Sequence, residues 1–266
     1  VDIYQLHWYN PEVSIEETVQ ALEALVDSGK VKHIGVSNLY LRQIKKVQEV
    51  LQRKNIVSLQ MEYNLFDHFI EDEILPYCED KKITTIAYSP LDQGRIIPDE
   101  KEKADVLKSI AKKYNKSLAQ IALNWLISHP TVVVIPAANK KYMKENALSA
   151  DFKLEEEDFK KINQACKRCP AMIETEEIEV SASGQNNRKT YQTFEEALEN
   201  KLGFVPSPES LAQYFRDYPN EKIKPVRLIR DRKGKYKLIE GRVRYWAWVI
   251  AFNGEKPIPA YVREKL

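Results

Sequence analysis

The feature that most constrains this chain is a rhythm. Between residues 1 and 165, short apolar runs alternate with longer amphipathic ones. The short runs are VDIYQLHW, HIGVSN, VSLQMEYNLF, ITTIAYSPL and TVVVIPAAN. The longer runs are SIEETVQALEALVDSGK, LRQIKKVQEVLQRK, IEDEILPYCEDKK, ADVLKSIAKKYNKSLAQIALNWLISHP and EEEDFKKINQACK. The first long run shows why these read as helices. Ile15, Val19, Leu22, Leu25 and Val26 fall on one face, Ser14 and Glu17 form a capping box, and Gly29 is a stop. ADVLKSIAKKYNKSLAQIALNWLISHP is too long for one helix, and it splits near Asn115. Five strands each followed by a helix predict a parallel sheet with right-handed crossovers. TVVVIP and ITTIAY are apolar on both faces, as strands buried on two sides are, and VDIYQLHW reads as a buried strand too. Periodicity alone leaves an open sheet and part of a barrel both standing.

After Cys169 the rhythm stops, which puts a boundary near residue 170 and predicts two domains, 1–169 and 170–266. CPAMIETEEIEVSASGQNNRKTYQ reads as a linker into a short strand and an irregular loop. TFEEALENKLG and SPESLAQYFRDY then read as helices, and KPVRLIRDRKGKYKLIEG as a hairpin turning at Gly234. RVRYWAWVIAF reads as a helix and IPAYV as a final strand. With 43% hydrophobic and 30% charged residues the chain can bury a core. No run approaches the roughly 20 apolar residues of a membrane span, so no membrane partner is expected. The first residues, with Asp2, Gln5 and His7, do not read as a signal peptide. Three cysteines imply no disulfide framework, and the expected setting is cytoplasmic. Abundant Lys and Glu with scarce Met and Cys lean toward a thermophile. From Lys222 to Leu266 there are 13 Lys and Arg against 4 Asp and Glu, a net of +9, and the rest of the chain nets −7. Such a segment suits a polyanion or phosphate partner, or is a solvated basic face.

In parallel β/α proteins the loops after the strands carry the chemistry. Here those positions hold His7-Trp8, Ser37-Asn38, Gln60 with Tyr63-Asn64, Tyr88-Ser89-Pro90-Leu91, and Pro136 through Lys140. A polar group at nearly every exit suits a ligand with several hydrogen-bonding edges and one stackable ring. Taken singly, each is also a common turn or cap residue.

HIGVSN, QMEYNLF, AYSPL and IPAAN…ENA, in that order behind a strand ending in LHW, resemble the aldo-keto reductases. The resemblance covers about residues 1–165. It implies part of a (β/α)8 TIM barrel, five β/α units of the eight, and reduction of a small-molecule carbonyl substrate by a nicotinamide dinucleotide, usually NADPH. It assigns His7 to orienting the carbonyl, and Ser37, Asn38 and Gln60 to the nicotinamide amide. It assigns Tyr88 to stacking on the nicotinamide, and Ser89 and Leu91 to the pyrophosphate. Asn139, Lys140, Glu145 and Asn146 match the segment gripping the adenosine end. VDIYQLHW resembles the fourth strand of that barrel. The resemblance therefore leaves the family's proton-donating tyrosine, with its aspartate and lysine, outside these residues. A proton donor near its working pKa is worth on the order of 10²–10⁴ in rate. The expectation is weak or residual NADP binding and no competent carbonyl reduction without an N-terminal half. Tyr142 stands where a basic residue often binds the 2′-phosphate, which leaves NADH and NADPH both open. Two open sheet edges would invite pairing, so a homo-oligomer or a fragment of a longer chain is expected.

KYKLIEGRVRYWAWVIAFNGEKPIPAYV places Gly-x-x-Arg between a strand and a helix, so backbone N–H groups and a guanidinium surround one point suited to phosphate. A plain strand–turn–helix gives the same pattern. Residues 176–266 resemble the ParB-like and sulfiredoxin-like domains, in which Gly-x-x-Arg-x-x-Ala (here Gly241, Arg244, Ala247) follows a strand. The resemblance implies a smaller α+β domain binding a nucleotide or DNA. Gly241, Arg242 and Arg244 would contact phosphates, and Glu240 would act as acid/base or metal ligand. The motif holds no cysteine, which argues against sulfinic-acid chemistry. Tyr245, Trp246 and Trp248 either stack bases or pack a core. Cys166-x-x-Cys169 lacks the second pair that zinc needs, so no metal is expected. It reads as incidental or as a simple disulfide. Two function classes follow: a nicotinamide-dependent oxidoreductase fragment, and a nucleotide- or DNA-binding module, with nuclease or phosphotransfer chemistry, that uses the half barrel as scaffold.

Overall fold

The strands Ile3–Leu6 (β1), His33–Ser37 (β2), Ile56–Glu62 (β3), Thr84–Tyr88 (β4) and Val132–Val134 (β5) lie side by side in chain order, every pair parallel. The computed structural model describes residues 1–51, 54–137, 140–180 and 189–264. Helices Ile15–Asp27 (α1), Leu41–Val50 (α2), Ile74–Lys81 (α3), Lys101–Tyr114 (α4), Leu118–Ile127 (α5), Lys140–Ala147 (α6) and Glu156–Cys166 (α7) follow the strands. The long apolar run does break at Asn115, which takes the left-handed conformation at φ 51° and ends α4. Ser117 then caps α5, accepting from Gln120 N at 3.2 Å.

One sheet face carries Ile34, Val36, Leu59, Met61, Ala87 and Val132, all buried in the core with Ile44, Leu75, Leu107, Ile121 and Ile162 from the helices. Helix α5 is apolar nearly all round and is buried from Gln120 to Leu126. The buried amide of Asn124 is satisfied: its Nδ2 donates to Ser149 O and Phe152 O at 2.8 and 2.7 Å, and its Oδ1 accepts from Leu154 N. The two outer strands depart from the reading as buried. Ile3 and Tyr4 of β1 are 41% and 48% exposed, and Val133 of β5 and the adjoining Ile135 are 46% exposed. Each outer strand pairs on one side only among the described residues, so its apolar side chains lack a neighbouring strand to cover them.

The chain divides into two compact units, Val1–Trp8 with Glu16–Arg168, and Tyr9–Ile15 with Cys169–Leu266. The second has its own five-stranded sheet of Ala171–Ile173 (β6), Ile178–Val180 (β7), Val226–Arg230 (β8), Tyr236–Glu240 (β9) and Ile258–Glu264 (β10), in the order β6-β10-β8-β9-β7. The hairpin β8–β9 is antiparallel and turns at Gly234, φ 83°, whereas β10 returns parallel to β8. The predicted irregular loop falls on residues 181–188, outside the described residues. Helices Phe194–Leu198 (α8), Pro208–Asp217 (α9) and Arg242–Phe252 (α10) complete the unit. Tyr245, Trp246 and Trp248 are 5–7% exposed and belong to its core, not to a base-stacking surface. Their polar atoms are spent on the main chain, on Thr175 O, Tyr191 O and Lys256 O at 3.0–3.1 Å. The basic C-terminal stretch is matched within the same unit. Residues 169–221 carry 4 Lys and Arg against 10 Asp and Glu, so residues 169–266 as a whole net +3. Lys237 of β9 faces Glu179 of β7 at 3.9 Å.

Candidate functional site

The exits of the first four strands converge on Asn38. This residue follows β2 in the left-handed conformation, φ 57°, which Asn adopts more readily than most side chains. Its Nδ2 donates to His7 O at 3.1 Å and to Ser37 Oγ at 2.9 Å, and its Oδ1 accepts from the Tyr88 hydroxyl at 3.0 Å. Its main-chain N donates to Gln60 O at 3.1 Å, and Ser37 Oγ donates to the same carbonyl at 2.9 Å. One residue, through its side chain and its main-chain N, thus ties β1, β2, β3 and β4 together at one end of the sheet. His7, Ser37, Asn38, Gln60 and Tyr88, singled out from sequence, meet there.

The ties leave the Gln60 side chain over. The Gln60 side chain is half-buried and makes no hydrogen bond to a described residue. Tyr88 is half-buried, with its hydroxyl fixed by Asn38. The His7 ring is exposed and lies 6.0 Å from the Trp8 ring. After β4 the backbone is left-handed at Ser89 (φ 48°), Asp92 (φ 43°) and Gln93 (φ 57°). Ser89 O accepts from Asn64 Nδ2 at 3.2 Å and from Asp92 N at 2.9 Å, and Leu91 O accepts from Gly94 N at 2.8 Å. Buried Asp92 holds Arg95 in a two-pronged ion pair at 2.9 and 3.3 Å.

The predicted adenosine segment is only partly assembled. Asn139 lies outside the described residues. Lys140 is exposed at the start of α6. The Glu145 carboxylate is engaged by Ser117 Oγ at 2.5 Å, which docks α6 on the start of α5, and Asn146 O accepts from Ser149 Oγ at 2.6 Å in the turn that follows α6.

Sequence reasoning missed the sheet face beneath the rim. Gln5 Nε2 donates to Ser58 Oγ at 3.1 Å, directly over Gly35. A Cβ at Gly35 would sit 2.5 Å from Ser58 Oγ and 2.7 Å from Gln5 Cγ. The signal was present, since Gln5, Ser58 and Gln60 are polar residues at alternating positions in otherwise apolar strands.

In the second unit, Gly241 takes φ 91° at the mouth of α10, and the helix end has no side-chain cap. Its two arginines are spent locally. Arg242 donates to Ile239 O and Leu238 O at 2.8 and 3.3 Å, and Arg244 to Pro225 O at 3.3 Å. Burial pushes the Arg242 guanidinium down from its usual range, opposed by the charge of Glu240. Glu240 pairs with Arg227 at 3.1 Å. No cluster of metal-ligating side chains occurs among the described residues, and all three cysteines are free. Burial pushes the Cys166 thiol up to about 12. No helix among the described residues is long and apolar enough to cross a membrane.

A parallel β/α sheet with a polar rim at its strand exits is the architecture of the aldo/keto reductases, and the chain belongs to that family. The sequence model of the Aldo/keto reductase family matches residues 1–167. Among curated relatives, methylglyoxal reductase YeaE of Escherichia coli (strain K12) is 33% identical over 166 residues, 62% of this chain and 58% of that protein. Glyoxal reductase of Bacillus subtilis (strain 168) is 34% identical over 163 residues, 61% of this chain and 56% of that protein. The chain therefore spans a little under three fifths of the length of these relatives. Among solved structures, a thermostable aldo-keto reductase Tm1743 bound to the inhibitor epalrestat superposes with a TM-score of 0.58 at 35% identity, covering 62% of this chain and 60% of that one. The aldo-keto reductase from Klebsiella pneumoniae in complex with NADPH gives 0.55 at 32%, covering 62% and 58%.

Proposed function

We propose that residues 1–167 bind a nicotinamide dinucleotide at the Asn38 rim and serve the reduction of a small carbonyl compound. The observation that carries this reading is the union of four strand exits on one residue, Asn38, with Gln60 and Tyr88 beside it. The groups at the rim fit the cofactor. A carboxamide satisfies the half-buried Gln60 amide, a planar ring stacks on Tyr88, and Ser89 and Leu91 would meet the pyrophosphate, the Asp92 and Gly94 N–H groups being already given to carbonyls within the turn. When bound, such a cofactor supplies a hydride to the carbonyl carbon. His7 would orient the carbonyl oxygen, and Lys140 would meet the adenosine end. The NADPH complex of the Klebsiella relative supports NADP as the cofactor. The glyoxal and methylglyoxal reductases support a small aldehyde or dicarbonyl as substrate. Hydride delivery also needs a proton for the oxygen. The family resemblance assigns that proton to a tyrosine preceding the strand that Val1–Trp8 resembles.

Titration with NADPH tests the reading, following tryptophan fluorescence. Quenching is expected, retained in Tyr88→Phe and lost in Tyr88→Ala. No quenching in the unaltered chain would reject it.

A second reading places a phosphate at residues 240–244, where a nucleotide or DNA would bind. It rests on the uncapped start of α10 and on the buried Nε atoms of Arg242 and Arg244, which lack hydrogen-bond partners among the described residues. Salt-sensitive nucleotide or DNA binding lost in Arg244→Ala is its test.

A further inference from the structure

Away from the rim, the first unit buries a second group of titratable side chains. Tyr63, fully buried just past β3, has its hydroxyl 2.8 Å from Glu71 Oε1 and 2.9 Å from His129 Nε2. His129 Nδ1 in turn lies 3.1 Å from Leu126 O. His68 Nδ1 lies 2.7 Å from the same Glu71 oxygen, while Lys167 is 3.4 Å from Glu71 Oε2 and 3.7 Å from Asp72. Glu79 of α3 adds a more distant negative charge. The rings of Trp125 and Phe159 enclose His129, with centroids 5.0 and 5.3 Å away.

The proton count of this chain does not close at neutrality. Leu126 O to His129, His129 to Tyr63, and Tyr63 to Glu71 are three contacts in line, and each needs one proton to be a hydrogen bond. A carbonyl has no proton to give, so His129 Nδ1 carries one. A neutral His129 then has a bare Nε2, and Tyr63 has a single proton for two acceptors. Two protons serve three links, and a buried link left unmade is costly. A third proton, on His129, completes the line from α5 to Glu71.

The same tyrosine reaches the rim through its main chain. Tyr63 N donates to Tyr88 O at 3.4 Å, and the neighbouring Asn64 side chain donates to Ser89 O at 3.2 Å. We propose that Tyr63 is a positioning residue for the rim, and that Tyr63, Glu71 and His129 form a buried latch that takes up one proton in acid and so fixes the β3 and β4 exits around Tyr88. Burial pushes His129 below its usual range, opposed by its bond to Leu126 O and by the charge of Glu71. Uptake therefore falls on the acid side of an ordinary histidine. The inference concerns the protein alone and stands whether or not the rim binds a nicotinamide.

Nitrogen-15 NMR of the full 266-residue chain, titrated from about pH 8 to about pH 5, is the test. The His129 imidazole is expected to gain its proton with one midpoint. The Tyr88 and Ser89 amides should shift with the same midpoint, and their protection from hydrogen exchange, taken relative to the intrinsic rate at each pH, should rise below it. In Tyr63→Phe, which keeps the ring, His129 still titrates but the Tyr88 and Ser89 response is lost. In Glu71→Gln the His129 midpoint moves to lower pH. Should either variant fail to fold, the unaltered chain decides alone. Titration of His129 with no response at Tyr88 and Ser89 overturns the proposal, as does a response that persists in Tyr63→Phe.

Discussion

Gly35 sits where the sheet has no room for a methyl group. Gly35→Ala drives a Cβ into Ser58 Oγ and the Gln5 side chain. The expected loss is about 1–3 kcal/mol in urea unfolding, partly recovered in the double variant with Ser58→Ala, which deletes the clashing oxygen. Glu71 makes a prediction in pH. Burial raises its pKa, but the His68 contact, the Tyr63 hydroxyl and Lys167 outweigh that and hold the carboxyl at about 2. A carboxyl lowered on folding stabilises the protein above its unfolded pKa. That stability, on the order of 3 kcal/mol, should be lost as pH falls from about 4.5 to about 2, and Glu71→Gln should flatten this limb of the stability profile. His129 has the same sign on a milder range. Its pKa is lowered by burial, so the unfolded chain takes the proton first and stability declines as pH drops below the ordinary histidine range. The rim residues were legible from sequence because a polar residue ending an apolar strand stands out. The Tyr63–Glu71–His129 line was not legible. His129 is 66 residues from Tyr63 in the chain, and only the packing of α5 against the sheet brings them within 2.9 Å.

Among the elements, α5 depends on the residue that caps it. Ser117 accepts from Gln120 N, the Gln120 side chain returns to Ser117 N at 3.0 Å, and Ser117 Oγ also reaches Glu145 of α6. Ser117→Ala should cost about 1–2 kcal/mol, and hydrogen exchange should quicken in α6 as well as at the start of α5, because one hydroxyl serves both. The helix break at Asn115 was legible, since a polar Tyr-Asn-Lys-Ser run interrupts the apolar period. The exposure of β1 and β5 was not. An apolar strand reads as buried whether it has neighbours on both sides or on one, and the pattern of a single strand carries no count of its partners. The parallel return of β10 beside β8 was equally silent, because pairing belongs to two segments at once.

At the scale of the whole molecule, two compact units with separate sheets and separate cores should unfold separately. Trp8 and Trp125 lie in the first unit, Trp246 and Trp248 in the second. Fluorescence should therefore follow two denaturant transitions, and Trp8→Phe with Trp125→Phe should leave one of them optically silent. A single transition shared by all four indoles would contradict this. The second unit also interleaves its halves. Residues before 222 supply the outer strands β6 and β7, and residues after it supply the central β8, β9 and β10. The first half is acidic and the second basic. A nick between Glu221 and Lys222 would thus yield two peptides of opposite charge, each holding strands the other needs. They should reassemble spontaneously, faster at low ionic strength, which would make this unit a natural starting point for a split reporter.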